Sequence, residues 1–318
     1  MMNFSNSYNK FVYGLEQINL AAAQCPYDFV SEIEKMYKRE ISDVVDYILD
    51  PKVKGKVLML AGPSGSGKTT TAHMIKNELK RRGVSTAMIS LDDFYLGEAM
   101  APRGDDGKPD FESVEALNIE EIKSCLLSLL KYGYCDMPTF NFPLHRPNDE
   151  KKHVELEKNG VAIVEGIHGL NPLFTSDLPQ EGLVKLYVSV KQGIKDYNGE
   201  ILSRSDVRFL RRVVRDHNYR QTSAAETLDM WPNVCKGERL YIDPFKRTSD
   251  LTINSIHIFE PCVLCHTAVP LLMEIPESDP HYEFARKILA GLERFYPIES
   301  SIVPEDSLIR EFIGGGIY

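Results

Sequence analysis

A short glycine-rich stretch, residues 62–69, constrains the fold of this chain more than any other part of its sequence. Its letters, GPSGSGKT, fit the pattern G-x-x-x-x-G-K-[ST] and stand between a short apolar run at 56–61 and a helical pattern at 69–82. Glycines let backbone N–H groups curl round an anion, and the helix that follows presents its positive end to the same anion. The stretch therefore predicts a phosphate-binding loop. A chance glycine turn is a poor alternative, because both neighbours have the form that the loop needs.

The residues within the loop indicate a nucleoside triphosphate with Mg²⁺ as the ligand. In this pattern the lysine, Lys68, reaches the β- and γ-phosphates, and the hydroxyl of Thr69 ligates the metal ion. The other residues predicted to surround the phosphates are Gly62, Ser64, Gly65, Ser66, Gly67 and Thr70. The loop identifies neither the base of the nucleotide nor the group that accepts the phosphate.

Further apolar runs alternate with helical patterns along the middle of the chain. Strands are predicted at 56–61, 86–91, 161–164, 183–190 and 251–254, and helices at 28–49, 69–82, 118–131, 204–215, 282–296 and 307–313. Such alternation is typical of an α/β fold with a parallel sheet covered by helices on both faces. We therefore predict a P-loop NTPase core over residues 51–255. Helical extensions at 1–50 and 256–318 are expected to pack on it.

Charge and hydropathy exclude several other classes of protein. The chain has 37 Lys and Arg against 46 Asp and Glu, a formal net charge of −9, so it lacks the basic footprint of a nucleic-acid-binding protein. No apolar stretch approaches the ~18 residues of a membrane span. The first residues, MMNFSNSYNK, do not form the apolar segment of a signal peptide. With six Cys and no export signal, we expect reduced thiols in a cytoplasmic protein that binds neither nucleic acid nor membrane.

Two carboxylates follow predicted strands at the edge of the sheet where such folds bind their ligands. Asp92 comes directly after the strand at 86–91, and Glu165 ends the strand at 161–164. Phosphoryl transfer to an alcohol needs a carboxylate that orients the hydroxyl and accepts its proton, a role that suits Asp92. Glu165 is placed to join the Mg²⁺ shell, directly or through water. The alternatives are a helix-capping role for Asp92 and a solvent-exposed strand end for Glu165.

Arginines recur at helical spacing in the predicted helix at 204–215. They are Arg204, Arg208, Arg211, Arg212 and Arg215. At ~100° per residue they fall on one side of the helix, and Val207, Leu210 and Val214 fall on another. In an acidic chain with a phosphate loop, such a face is suited to close over a triphosphate as a lid, because guanidinium groups match phosphate oxygens. A plain solvated face is the alternative.

The order of these motifs resembles that of the uridine kinase/phosphoribulokinase family. The stretches are GPSGSGKTT, ISLDDFY, PTFNFPLHRP, VEGIHGL and RFLRRVVRDHNYR, which cover about residues 55–255. The tail, VPEDSLIREFIGG, is similar to a bacterial branch of uridine kinase-like nucleoside kinases that often carries a TGS domain. This chain has too few residues before the loop for that domain, so it resembles a shortened form. The resemblance implies ATP- and Mg²⁺-dependent transfer of the γ-phosphate to the 5′-hydroxyl of a pyrimidine nucleoside. Relatives of uridine kinase are often oligomers, so the resemblance also admits a homo-oligomer.

The resemblance implies roles for single residues as well. The catalytic set that it implies is Asp92, Lys68, Arg212 and Arg215. The matching lid arginines are Arg212, Arg215 and Arg220, of which Arg220 is assigned to the nucleotide. The positions that match the acceptor pocket are Asp92, Tyr95, Glu112, Phe140, His145 and Arg215. In the family, the acid at Glu112 binds ribose hydroxyls, and the residues at Phe140 and His145 lie at the base.

Departures from the family pattern concentrate in this acceptor pocket. Phe140 lacks the hydroxyl of the family's Tyr, and Asn141 lacks the charge of its Asp. Glu112 is one methylene longer than the usual Asp, and Thr222 stands where relatives often keep an Arg. A site that hydrogen-bonds a base discriminates through its polar groups, so one lost hydroxyl changes preference strongly. Two alternatives therefore stay open: a kinase of another small hydroxylated metabolite, and a non-catalytic ATP-binding regulatory switch.

Overall fold

The computed structural model describes residues 14–104 and 107–318, so the first part of the predicted N-terminal extension lies outside the described residues. The helices are α1 (Leu15–Gln24), α2 (Pro26–Leu49), α3 (Lys68–Arg81), α4 (Ile119–Tyr132), α5 (Arg204–Arg220), α6 (Ala224–Gly237), α7 (Glu260–Met273), α8 (Tyr282–Leu292) and α9 (Arg310–Ile313). The strands are β1 (Val57–Ala61), β2 (Thr86–Ser90), β3 (Tyr134–Met137), β4 (Phe140–Asn141), β5 (Arg146–Pro147), β6 (Lys152–Glu155), β7 (Val161–Glu165), β8 (Leu183–Ser189), β9 (Ile194–Asp196), β10 (Gly199–Leu202) and β11 (Leu251–Asn254).

A five-stranded sheet forms the centre of the molecule, with the strand order β11-β8-β1-β7-β2. Every neighbouring pair in it is parallel. The α/β class is confirmed, and each of the five predicted strands is observed within one residue of its predicted bounds. The match is close because strands buried on both faces are apolar throughout, which makes their limits visible in the sequence.

The register of the sheet decides which residues meet at its carboxyl edge. Glu165 at the end of β7 is in register with Leu60 of β1 on one side and with Ser90 of β2 on the other. The phosphate loop begins directly after β1, and Asp92 follows β2 by two residues. The loop and both predicted carboxylates are therefore brought to one edge by backbone pairing alone.

Alternate residues of β1 enter two separate cores on the two faces of the sheet. Leu58 and Leu60 belong to a large cluster with residues of α2, α3, α5 and α7. Val57 and Met59 belong to a smaller cluster that includes α4. All four are fully buried. Helices therefore cover both faces, as the alternation of strands and helices predicted.

Both ends of the described chain are built into the larger core. Phe29 and Ile33 of α2 belong to this cluster, and so do Leu308 and Phe312 near the C-terminus. Because one cluster crosses residues 50 and 255, the division of the chain at those positions stays a prediction.

Several elements were missing from the sequence interpretation. They are α1, α6 and the antiparallel pairs β3–β6, β4–β5 and β9–β10. These strands are at most four residues long, too short for alternation to separate them from a loop. Helix α5 runs to Arg220, beyond the predicted end at 215, because its apolar pattern stops at Val214 while polar residues continue the helix. Among the described residues, no helix combines the length and apolar character that crossing a membrane needs.

A buried polar cluster joins the two ends of the chain. The carboxylate of Glu34 in α2 accepts a hydrogen bond from the hydroxyl of Ser307. The same carboxylate lies 3.6 Å from Nε2 of His257. Burial raises the pKa of Glu34 to about 7. Burial, with help from the nearby Arg211, lowers the pKa of His257 to about 3. Folding therefore favours the neutral form of both side chains.

We expect Glu34→Gln to stabilise the protein more at pH 8 than at pH 5. The pKa of Glu34 is raised in the fold from its ordinary 4.5. Its bound proton therefore stabilises the fold at low pH, and this contribution is lost as the pH rises to about 7. Gln stays neutral, so the difference in free energy of unfolding between variant and wild type should grow by about 1–3 kcal/mol from pH 5 to pH 8.

Chemical denaturation at the two pH values measures this difference. Glu32→Gln, which changes an exposed residue of the same helix, is the matched control and should show no such growth. A difference that stays constant with pH for Glu34→Gln would contradict a raised pKa at this position.

Candidate active site

The phosphate loop leaves β1 and runs directly into α3. Gly67 has φ of 81°, in the left-handed region, and a Cβ there would lie 2.5 Å from Cδ1 of Leu308. Gly62 lies so close to β8 that a Cβ would meet the carbonyl oxygen of Val188 at 2.0 Å. Only glycine fits at these two positions, so the loop closes tightly at the start of α3.

Several donors of this loop have no strong partner within the protein. The ammonium of Lys68 folds back to donate to the carbonyl of Pro63 at a long 3.3 Å. The hydroxyl of Ser66 is buried and has no hydrogen-bond partner among the residues that the structure describes. Thr69 is exposed at the first turn of α3. Free donors at the N-terminus of a helix form a site that can receive an anion.

Asp92 lies in the 3₁₀ turn that follows β2. Its backbone N–H donates to the hydroxyl of Ser90 at 3.3 Å. Burial raises the pKa of the Asp92 carboxyl, and the charge of Lys68 opposes that rise. A carboxylate with raised proton affinity, held near the loop, is suited to accept a proton from an alcohol.

Glu165 lies beside Asp92 and accepts a hydrogen bond of 3.1 Å from the hydroxyl of Ser90. Burial raises the pKa of Glu165 to about 7; Lys68 opposes the rise, and the charge of Asp92 adds to it. The pKa of Lys68 is lowered by burial, while Glu165, Glu311 and Asp92 oppose the change. The ammonium of Lys68 therefore faces three carboxylates, those of Glu165, Glu311 and Asp92.

The oxygen donors at this edge fit Mg²⁺ that arrives with a phosphate chain. Mg²⁺ is usually held by one or two protein ligands, with phosphates and water filling the remaining positions. The Thr69 hydroxyl and the Glu165 carboxylate supply donors of the right kind. Within residues 14–104 and 107–318, no group of three or more His, Cys, Asp or Glu forms a metal site of its own.

Aromatic rings form one wall of the predicted acceptor pocket. Tyr95 meets Phe111 and Phe140 edge-on, with ring centroids 5.3 and 5.7 Å apart. The exposed ring of His145 continues the series, nearly parallel to Phe111 at 6.5 Å. The hydroxyl of Tyr95 donates to the carbonyl of Phe111 at 3.0 Å. Tyr95 therefore lies within the aromatic wall, and its hydroxyl is paired with the backbone in this structure.

Glu112 is the carboxylate that the sequence predicts for this pocket. Burial raises the pKa of Glu112, and the charges of Arg212 and Lys68 oppose the rise, so the carboxylate faces the same cations as the loop. Gly237, at the end of α6, lies against it, since a Cβ there would be 2.9 Å from Cβ of Glu112. The close approach of α6 thus fixes the position of the Glu112 backbone and Cβ.

Two arginines of α5 hold the phosphate loop itself. Nε of Arg208 donates to the carbonyl of Ser64 at 3.0 Å, and its two terminal nitrogens fork onto the carboxylate of Glu238 at 2.8 and 2.6 Å. Arg211 donates to the carbonyl of Gly65 at 3.1 Å and to both oxygens of Glu260. Both arginines are buried. The prediction of a single arginine face that closes over the nucleotide is therefore wrong for these two residues.

The three predicted lid arginines share one buried carboxylate. Asp216 lies 3.1 Å from Arg212, 3.7 Å from Arg215 and 3.1 Å from Arg220. Nη1 of Arg212 also donates to the hydroxyl of Ser64 at 2.9 Å. This sharing holds the three long, flexible side chains together through one carboxylate.

The sequence interpretation did not single out several residues that complete this site. They are Ser90, Asp216, Glu238, Glu260 and Glu311. Glu311 accepts a hydrogen bond of 2.7 Å from the hydroxyl of Thr70, 241 positions earlier in the chain. The Arg-Asp pair at 215–216 was a visible signal for Asp216. No spacing in the C-terminal tail indicates that Glu311 reaches the loop.

Comparison of the sequence with known protein families identifies the family of this chain. The model of the family described as "Phosphoribulokinase / Uridine kinase family" matches residues 57–259, more than half of the chain. The chain belongs to this family. It is therefore a kinase of small molecules.

Two curated relatives are uridine kinases of Lactobacillus helveticus and Bacillus subtilis, each 28% identical to this kinase. Their matches span 63% and 62% of this chain and 86% and 84% of theirs.

Solved structures with a related fold include two members of the same group. A possible uridine kinase from Bacillus stearothermophilus has a TM-score of 0.38 and 23% identity, and covers 47% of this chain and 79% of its own. Phosphoribulokinase from Rhodobacter spheroides has a TM-score of 0.44 and 15% identity, and covers 65% of this chain and 74% of its own. The assignment of this kinase to its family depends on the sequence match, since these overall likenesses are weak.

We expect Arg211→Met to lower the free energy of unfolding by about 3–5 kcal/mol, because it leaves the buried charge of Glu260 without its cationic partner. The double variant Arg211→Met/Glu260→Leu should recover most of this loss, since an apolar pair of similar size often replaces a buried ion pair. Guanidinium chloride denaturation measures both. Arg204→Met, at the exposed first residue of α5, is the control. A double variant as unstable as the single one would show that the ion pair is not the cause.

Proposed function

We propose that this kinase transfers the γ-phosphate of ATP, in the presence of Mg²⁺, to the 5′-hydroxyl of a pyrimidine nucleoside, uridine or cytidine. One observation supports the proposal most strongly. One cation and two carboxylates, those of Lys68, Asp92 and Glu165, lie close together beside the phosphate loop. A phosphate loop alone is compatible with any nucleotide-binding protein. A carboxylate with a raised pKa beside the loop can, in addition, accept the proton of an alcohol that receives the phosphate. The curated relatives, named uridine kinases, support the nucleoside as that acceptor.

The nucleotide is proposed to lie with its phosphates over residues 62–70. Backbone N–H groups of the loop and of the first turn of α3 bind the phosphate oxygens, and the Lys68 ammonium leaves the Pro63 carbonyl to contact them. Thr69 and Glu165 would hold Mg²⁺. When bound, the metal ion supplies positive charge that offsets the charge of the phosphates.

The acceptor is proposed to enter between the Glu112 carboxylate and the aromatic wall. Glu112 binds the ribose hydroxyls, Phe140 and His145 contact the base, and Tyr95 lies near the acceptor. Asp92 orients the 5′-hydroxyl and takes its proton as the oxygen attacks. A bond forms between that oxygen and the γ-phosphorus, the bond from the γ-phosphorus to the β–γ bridging oxygen breaks, and ADP leaves. Positioning and electrostatics supply the catalysis, without a covalent intermediate on the enzyme.

Arg212 and Arg215 are proposed to stabilise the charge on the transferring group. Asp216 holds both, so their guanidinium groups are positioned before the substrate arrives. Because Arg208 and Arg211 fix the inner part of α5 to the loop, closure is confined to the outer end, around Arg220, which is 53% exposed.

A second candidate acceptor is another small hydroxylated metabolite. One observation favours it. The side-chain amide of Asn141 is paired within its own hairpin, where it accepts a hydrogen bond from the backbone N–H of Leu144 at 3.1 Å and donates one to Asn148 at 3.4 Å. Phe140 likewise offers no hydroxyl. Two positions that face the base in the family therefore provide little hydrogen bonding here, which weakens the argument for a particular base.

Coupled ADP release with Mg-ATP tests the proposal against a panel of acceptors. The panel holds uridine, cytidine, purine nucleosides, deoxynucleosides, sugars and polyols. Release that depends on uridine or cytidine supports the proposed acceptor, whereas turnover of another alcohol alone keeps the chemistry and replaces the acceptor. Binding of ATP without turnover of any acceptor would favour the regulatory switch.

Lys68→Ala should abolish detectable ADP release while leaving the far-UV circular dichroism spectrum unchanged. The variant removes the cation that contacts the phosphates and faces the carboxylates of the cleft. Run beside the wild type on the same panel, it also reveals contaminating kinases. Turnover at the wild-type rate would contradict the proposed role of the loop.

Asp92→Asn should lower kcat by at least ~10²-fold, the effect expected for loss of a general base. The affinity for ATP, measured by isothermal titration without acceptor, should change little. Asp149→Asn, at an exposed position, is the matched control and should keep the wild-type rate. An Asp92→Asn enzyme with full kcat would remove Asp92 from the mechanism.

A further inference from the structure

The C-terminal tail places a carboxylate directly on the phosphate loop. Oε2 of Glu311 accepts a hydrogen bond from the hydroxyl of Thr70 at 2.7 Å. The same oxygen lies 3.4 Å from the backbone nitrogen of Thr70, within hydrogen-bond distance. The side chain of Thr70 therefore turns to the tail of its own chain.

Thr70 belongs to the part of the loop that an anionic ligand needs. It is the third residue of α3, so its N–H is one of the first-turn donors that have no partner inside the helix. Those donors, with the positive end of the helix, bind the phosphate groups of a nucleotide. In this structure a carboxylate satisfies the Thr70 donors instead. A carboxylate and a phosphate carry charge of the same sign, so both cannot hold Thr70 at once.

The backbone on either side of Glu311 is firmly anchored. Leu308 and Phe312 are fully buried, and Leu308 lies against Gly67 of the loop. The carbonyl of Phe312 accepts a hydrogen bond of 3.0 Å from the side chain of Asn218 in α5. Removal of the whole segment would expose this apolar surface, so a nucleotide has to displace the Glu311 side chain alone.

The structure also offers that side chain a second partner. Oε1 of Glu311 lies 3.6 Å from Nη1 of Arg215, too far for a strong hydrogen bond but close enough for an ion pair. Rotation of the carboxylate away from Thr70 and toward Arg215 would exchange one favourable contact for another. The Glu311 carboxylate thus lies between Thr70 and Arg215 on a fixed backbone, and a rotation toward Arg215 would free the Thr70 donors for a phosphate.

We propose that Glu311 is a built-in competitor of the nucleotide phosphates. It occupies the Thr70 donors in the free enzyme and turns to Arg215 when the nucleotide binds. It thereby weakens nucleotide binding and favours the release of ADP after transfer. This proposal rests on the proposed binding of a nucleotide at the loop and is independent of the identity of the acceptor.

Titration of ADP and of ATP without an acceptor tests the proposal. Glu311→Ala removes both the charge and the hydrogen-bond acceptor, and should lower the Kd for ADP by about 5-fold or more, since a charge-assisted hydrogen bond no longer competes. Glu311→Gln keeps the shape and loses the charge, and should lower the Kd to a smaller extent. Glu305→Gln, an exposed carboxylate on the same tail, is the matched control and should bind ADP as the wild type does.

The ADP-induced rise in Tm provides a second measurement, in which each variant is compared with its own ligand-free form. At equal ADP concentration this rise should be larger for both Glu311 variants than for the wild type. An unchanged or higher Kd for Glu311→Ala would overturn the competitor role while leaving the proposed function intact. Failure of the wild type and of every variant to bind ADP would overturn the proposed function and this inference together.

Discussion

The buried guanidinium of Arg211 is the contact on which the geometry of the cleft depends. It joins the middle of α5 to the phosphate loop at Gly65, to the chain after β11 at Ser255, and to the start of α7 at Glu260. Arg211 and Glu260 are both inaccessible to solvent, so neither finds water as a substitute partner. Removal of either one leaves a buried charge without its ionic partner, which costs more than the intact pair contributes. Arg211 therefore holds the phosphate loop in position without contacting a phosphate itself.

Three carboxylates in the cleft beside that loop face the ammonium of Lys68. Glu165, Asp92 and Glu112 all have pKa values raised by burial, and Lys68 opposes the rise at each of them. Lys68, and at Glu165 the hydroxyl of Ser90, offset part of the cost of burying these charges. Titratable groups with pKa values shifted in this way cluster at functional sites.

Much of the fold and the centre of the site were predictable from the sequence, and the reasons are specific. The strands of the sheet are apolar runs buried on both faces, and the phosphate loop is a local motif whose two neighbours confirm it. Asp92 and Glu165 follow strands, so their meeting is a consequence of parallel pairing. The roles of Arg208 and Arg211 were misjudged because helical spacing shows which residues share a face but not what lies opposite. The role of Glu311 could not be predicted from the sequence, because its contact with Thr70 depends on how the C-terminal tail packs on the rest of the fold.

The burial of Leu308 against Gly67 has a consequence for what counts as a unit of this protein. The match to the family ends at residue 259, yet side chains from the last ten or so positions shape the loop that defines the family. The hydroxyl of Tyr37 in α2, before the match begins, lies 2.6 Å from that of Thr71 in α3, the helix that follows the loop. The segment that matches the family is therefore shorter than the segment whose side chains pack around the loop. A fragment cut at residues 57 and 259 would keep the motif and lose these contacts.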